Sequence, residues 1–347
     1  MKAAVSAYYK MNIITNSEPL KVGITFNLKK NIASDLPDIE AEFDDADTIQ
    51  AIQNALEASG CTVELYEATE ELPVRLIKNR PDIVFNIAEG SMGRGREAQV
   101  PAILNYLAIP FTGSDETTLC IAMDKALTKR LAASHGINTP KYQIAKYGDP
   151  FSHPGISFPI IVKPNNEGSS KGISDISIAE DSARLALVLA EKMSAYKQDM
   201  LLEEYISGRE FTVGILGNGQ ALRVFKPMEI IFKDKANSIY SYDVKKNFRE
   251  LVRYECPPSI DAGLIKEIED AAESVYRALE CRDMARVDFR LSPNGQLYFI
   301  EINPLPGLAP LYSDFPMIAA FCGMDYAELI RTILDSALSR YGLRYHV

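Results

Sequence analysis

The stretch MARVDFRLSPNGQLYFIEINPLPG, residues 284–307, carries two acids and an amide at a spacing that suits metal and phosphoryl chemistry. Asn294-Gly295 between two alternating runs predicts a two-residue hairpin turn. That turn sets Asp288 opposite Glu301 and Arg286 opposite Asn303 on one face, with Val287, Phe289, Ile300 and Ile302 on the other. Opposed like charges repel, and a cation between them resolves the conflict. Oxygen-only donors select a hard ion, Mg²⁺ or Mn²⁺, which keeps positions for water and phosphate. Arg286 would sit beside the charge of a phosphoryl group. The alternative is a solvated hairpin face on which Arg286 and Arg290 neutralise the acids.

Two further stretches suit a nucleotide. In FPIIVKPNNEGSSKGIS, residues 158–174, a strand ends in Lys163 and runs into a loop holding Gly168, Ser169, Ser170 and Gly172. Small residues let backbone N–H groups close over phosphates, and Lys163 reaches a phosphate as a point charge. The lysine precedes the glycines, so this is no GxxxxGK[ST] loop; the same composition also makes an ordinary turn. In LLEEYISGRE, residues 201–210, a strand end offers backbone groups to an adenine and Glu210 to a ribose, or is simply a surface hinge.

These residues need a scaffold. Residues 21–28, 62–66, 82–87 and 108–113 read as strands, alternating with helices at 47–60, 70–79 and 97–107. Such βαβ alternation implies a parallel sheet covered on both faces. A long helix spans about 117–134. The pattern then changes: strands at 158–164 and 199–205 flank a helix at 180–196, suggesting a small α+β lobe. Strands from 210 onward, a helix at 264–280 and the acidic hairpin imply an antiparallel sheet, closed by a helix at 325–341.

The 347-residue chain has a net charge of −10 and a pI near 5.0, which argues against a general nucleic-acid or acidic-membrane binder. Its five cysteines contain no CxxC pair, so they read as reduced thiols, and the cytoplasm is the expected compartment. No apolar run approaches the roughly 18 residues that mark a membrane span. Residues 1–20 lack a continuous apolar core and read as a flexible extension, not a signal peptide.

Taken in order, GSDETTLCIAMDKALTKRLAASHGINTP, IVKPNNEGSSKGI, LLEEYISGREFTVGIL, ARVDFRL and LYFIEINPLPGL resemble the ATP-grasp superfamily, and within it the D-alanine–D-alanine ligase family. The resemblance spans residues 80–340. It implies a three-domain ATP-grasp architecture: an α/β parallel-sheet domain at 21–120, a central α+β lobe at 121–205 and a C-terminal lobe at 206–347 carrying the metal site. It implies ATP and Mg²⁺, an acyl phosphate, and an amine that displaces phosphate to give an amide. It also implies a homodimer. By residue, Lys125 and Lys163 resemble the phosphate lysines, and Ser170 resembles a nucleotide-binding residue of the glycine-rich loop. Glu203, Glu204, Tyr205 and Ile206 resemble the adenine hinge, and Glu210 the ribose carboxylate. Lys245 resembles the lysine of a mobile loop, here within 233–250, that approaches the γ-phosphate. Asp288, Glu301 and Asn303 resemble the metal ligands, Arg286 the arginine on the moving phosphoryl group, and Gly307 the backbone donor to the oxyanion. Ser169 falls near the donor amino acid and Ser313 near the acceptor carboxylate.

The departures concern the amino-acid side. The opening GG-x-S-x-E pattern of the family is missing, leaving Glu42 as the nearest candidate. AEGSMGRGREAQ stands where the family has HGxxGEDG, so Glu89, Arg94, Arg96 and Glu97 replace the histidine segment. Arg94 and Arg96 suit a substrate carboxylate, or a solvated loop. Lys246 replaces the tyrosine of the mobile loop, and Asp314 an arginine. The readings are therefore a ligase for two amino-acid-like substrates, an ATP-grasp small-molecule kinase, and a non-catalytic nucleotide-binding module.

Overall fold

A computed structural model describes residues 19–30, 32, 38–150, 155–168, 171, 177–233 and 251–343. The first sheet has the order β2-β1-β3, all parallel, from Lys21–Phe26 (β1), Thr62–Glu67 (β2) and Ile83–Asn86 (β3). Val22, Ile24 and Phe26, with Ile83 and Phe85, are buried on one face and Thr25 and Val84 on the other, as in strands covered on both faces. Helix α1 (Ala46–Ala58) stops at Gly60, whose φ of 82° is a left-handed turn that glycine adopts at little cost. Helices α2 (Leu72–Lys78) and α3 (Gln99–Tyr106) complete the layer. The strand expected over 108–113 shrinks to one parallel bridge, Val84 with Phe111.

The long helix expected over 117–134 is two, α4 (Glu116–Met123) and α5 (Lys125–Ser134). Asp124 breaks it: its extended backbone and its side chain, which accepts from the Leu127 N–H at 3.0 Å, cap α5. Lys125 therefore begins a helix instead of lying inside one.

The second sheet has the order β4-β7-β5-β6, antiparallel, from Tyr142–Ala145 (β4), Ile160–Pro164 (β5), Ile178–Ala179 (β6) and Met200–Glu204 (β7). Helix α6 (Ser182–Tyr196) covers it through Leu185, Val188 and Leu189. The third sheet runs β11-β10-β8-β12-β13, with β9 (Arg223–Val224) beside β8. Its strands are Arg209–Leu216 (β8), Met228–Phe232 (β10), Val252–Glu255 (β11), Met284–Leu291 (β12) and Leu297–Asn303 (β13). Helix α7 (Ala262–Ala278) packs Ile268, Ala272 and Val275 on its core. Helices α8 (Asp314–Phe321) and α9 (Tyr326–Arg340) return to the first sheet, where Ile330, Ile333 and Leu334 join Ile49, Ile52 and Leu56. The C-terminal helices thus bridge the chain's two ends, α9 packing on α1 and α8 on β8 of the third sheet. Among the described residues, no helix is long and apolar enough to cross a membrane.

The hairpin has the predicted register at its base and another at its tip. Arg286, Val287 and Asp288 face Asn303, Ile302 and Glu301, but Phe289, Arg290 and Leu291 face Phe299, Tyr298 and Leu297. The turn is longer than two residues: Ser292 and Gln296 remain hydrogen-bonded, and Gly295 takes a φ of 81°. A bulge at Ile300 absorbs the difference. Phe299, not Ile300, consequently joins the apolar face, and it is buried.

Candidate active site

The acid pair lies directly across the hairpin, and each acid has its own cation. Asp288 accepts from Arg286 at 3.0 and 2.8 Å and from the Thr212 hydroxyl at 2.7 Å. Glu301 lies 3.0 Å from the Lys125 ammonium. Burial works against a charge on Glu301, but Lys125, Lys163 and Arg286 outweigh it and hold its pKa at about 2. Arg286 also faces Asp314 at 3.5 Å. Burial opposes its charge as well, and Asp288 and Asp314 push its pKa up. Asn303 completes the face, its amide 3.5 Å from Asp288. This oxygen set fits a hard divalent ion. Among the described residues no three Asp, Glu, His or Cys side chains form a metal cage, so phosphate oxygens would supply further ligands.

Around this face stand buried cations. The Lys125 N–H donates to Asn165 O at 3.1 Å, and its ammonium donates to Glu167 O at 2.6 Å. Lys163, near the end of β5, donates to Glu203 at 2.7 Å, and Lys129 stands 2.5 Å from the other oxygen of Glu203. Desolvation favours the neutral acid, yet these two ammonium groups lower the Glu203 pKa. The Glu203 side chain therefore points into the lobe, and any contact to a base falls to the strand-end backbone. There Arg290 fixes the chain: it donates to Ile206 O at 2.8 Å and to Glu210 at 2.6 Å, and lies 5.0 Å over the Tyr205 ring. Burial raises the Glu210 pKa, and Arg290 pulls it part of the way back. The Glu204 and Tyr205 N–H groups are held by Lys141 O and Pro159 O.

A cleft of about 100 Å³ joins the hairpin face to the first sheet, lined by Glu42, Asp44, Glu89, Glu97, Gly307 and Ser313 among others. A Cβ on Gly307 would stand 2.8 Å from the Ser313 hydroxyl, so a larger residue there requires Ser313 to shift. Arg96 does not offer its guanidinium to the cleft. It is 6% exposed and donates to Glu42 at 3.1 and 2.6 Å, to Glu167 at 3.0 Å and to Asn166 O at 2.9 Å. Arg94 is exposed and does not line the cleft. Ser169, Ser170, Lys245 and Lys246 lie outside the described residues.

Glu42 also accepts from the Gly168 N–H at 2.7 Å, which clamps the first domain to the glycine-rich loop. Lys129 and Thr212 escaped the sequence reading, and Arg290 entered it only as a charge neutralising the hairpin acids. Lys129 was within reach of it, since it lies four residues after Lys125 on one helix face.

A parallel-sheet domain followed by two antiparallel lobes, with paired acids and buried lysines between them, is an ATP-grasp architecture. The model of the D-alanine–D-alanine ligase C-terminus matches residues 131–335. A D-alanine–D-alanine ligase of Aquifex aeolicus is 35% identical over 83% of this chain and 93% of its own length. The corresponding protein of Gloeobacter violaceus is 32% identical over 83% and 93%. An uncharacterized Sinorhizobium fredii protein, y4sG, is 35% identical over 75% of each chain. The crystal structure of the Bacillus anthracis D-alanine–D-alanine ligase with ATP superposes with a TM-score of 0.72 at 22% identity, covering 93% of this chain and 98% of that one. The chain belongs to the D-alanine–D-alanine ligase family, and is an ATP-grasp ligase.

Proposed function

We propose that this ligase uses ATP and Mg²⁺, or Mn²⁺, to join the carboxylate of one amino-acid-type substrate to the amine of another, releasing ADP and phosphate. The observation that carries the reading is the Asp288–Glu301 pair, set beside Arg286 and Lys125 and opening on the same cleft as Gly307. Lys125 and Lys163 would hold phosphates, the backbone of residues 203–206 the adenine, and Glu210 the ribose. Asp288, Glu301 and Asn303 would hold the metal, which screens phosphate charge when bound. Arg286 stays cationic at the reacting centre and stabilises the transferring phosphoryl group. The Gly307 N–H would donate to the oxyanion that forms at the carbonyl under attack. Ser169, Ser170, Lys245, Lys246 and Ser313 are assigned to loop contacts with phosphate and substrates. Amide formation needs no nucleophilic side chain, because phosphate leaves from an activated carboxylate.

The test is a pairwise screen of L- and D-amino acids for phosphate release, with the amide identified by mass. Release that requires both an acid and an amine supports the reading. Hydrolysis indifferent to both, or a stable phosphorylated product, overturns it.

A further inference from the structure

We propose that the first-domain wall of the cleft binds a second cationic group of the substrate, so that the amino acid lying against it is a diamino or otherwise basic one. This rests on the ligase reading above.

Glu97 is 8% exposed, lines the cleft and accepts a hydrogen bond from no described residue. Glu89 and Asp44 line the same cleft, and their carboxylates likewise have no described partner. The cations along the cleft are already matched. Lys29 pairs with Asp45 at 3.1 Å, Lys125 with Glu301 at 3.0 Å, and Arg286 with Asp288 at 2.8 Å. Arg96 and Lys171, just behind the wall, are spent on Glu42 and Glu167. Three acids therefore face one space without a hydrogen bond or ion pair from any described cation, and Lys29, Arg96 and Lys125 act on them only from a distance. Burial and the Glu42 charge push Glu97 up to about 8, against the weaker pull of Arg96 and Lys125. Burial holds protons on these acids, so a lone α-ammonium brings one charge and lets one carboxylate ionise against it while the others stay neutral. An ammonium or guanidinium on the substrate side chain brings a second charge.

The experiment is calorimetric titration of the full chain, loaded with a non-hydrolysable ATP analogue and Mg²⁺. Lysine and ornithine, in both enantiomers, are compared with norleucine and norvaline. At least one diamino acid should bind ~tenfold or more tightly than its neutral counterpart, a difference of about 1.4 kcal/mol. In Glu97→Gln that ratio should fall to within about twofold. Removing one of several clustered acids should leave the fold intact, which a melting curve checks, and Asp44→Asn provides a second variant. Equal affinities, no measurable binding of either class, or a ratio unmoved by both substitutions overturns the proposal. Phosphate release with neutral pairs and no preference sinks this inference alone. No amino-acid-dependent release with any pair sinks the ligase reading, and the calorimetry still decides this one.

Discussion

Lys129 stands 2.5 Å from Glu203 and donates to the Ile300 carbonyl at 2.8 Å, so one buried ammonium ties β7 to the bulge of the β12–β13 hairpin. Replacing it with methionine leaves Glu203 with a single cation and the carbonyl with no donor. Breaking such a buried pair costs about 3–5 kcal/mol. Denaturant unfolding of Lys129→Met should show that loss; a change below ~1 kcal/mol, the range of an exposed pair, would refute the clamp.

Asp288→Asn and Glu301→Gln should each lower amide synthesis by about 10²–10³-fold or more, on the scale of losing one transition-state electrostatic contact. The metal concentration for half-maximal rate should rise. Unfolding should stay cooperative in both variants. Unchanged rates would contradict the metal assignment.

Gly307→Ala places a methyl group 2.8 Å from the Ser313 hydroxyl. Overpacking of this kind costs about 1–3 kcal/mol. Adding Ser313→Ala removes the opposing atom and should recover part of that cost, with a favourable coupling of about 0.5–3 kcal/mol. Strict additivity in the double-mutant cycle would show that the contact is relieved some other way.

The acids differ in their pH signature. Glu97 has its pKa raised from 4.5 to about 8, so its contribution is fully present below 4.5 and is lost as pH rises through 8. Asp44, raised from 3.8 to about 7, adds loss over that lower window. Glu301 runs the other way: lowered from 4.5 to about 2, it stabilises above 4.5 and fails as pH falls toward 2. Melting temperature of the ligand-free protein should therefore decline from about pH 5 to pH 8. Glu97→Gln should flatten that decline, and an identical slope would count against the raised pKa.

Alternation put Asp288 and Glu301 on one face, and a two-residue turn at Asn294-Gly295 put them opposite each other; the pairing holds because the bulge offsets the longer turn. Alternation could not reveal the longer turn or the bulge at Ile300. These depend on Lys129 and Asn138, far away in sequence, binding the edge of β13. The break at Asp124 was legible in principle as an Asp cap, but continuous helical periodicity masked it. Arg96 looked like a free arginine in a glycine-rich loop. Its partner Glu42 is 54 residues away, and only the fold brings them together. The same distance hid the wall formed by Asp44, Glu89 and Glu97, whose surplus of acids appears only once each cation is traced to its acid.

The most direct test follows the oxygen atoms. With a donor amino acid carrying heavy oxygen in its carboxylate, attack on the γ-phosphate and displacement by the amine must leave one labelled oxygen in the released phosphate. The account predicts one labelled oxygen in phosphate for each amide formed. Phosphate whose new oxygen comes from solvent would contradict it.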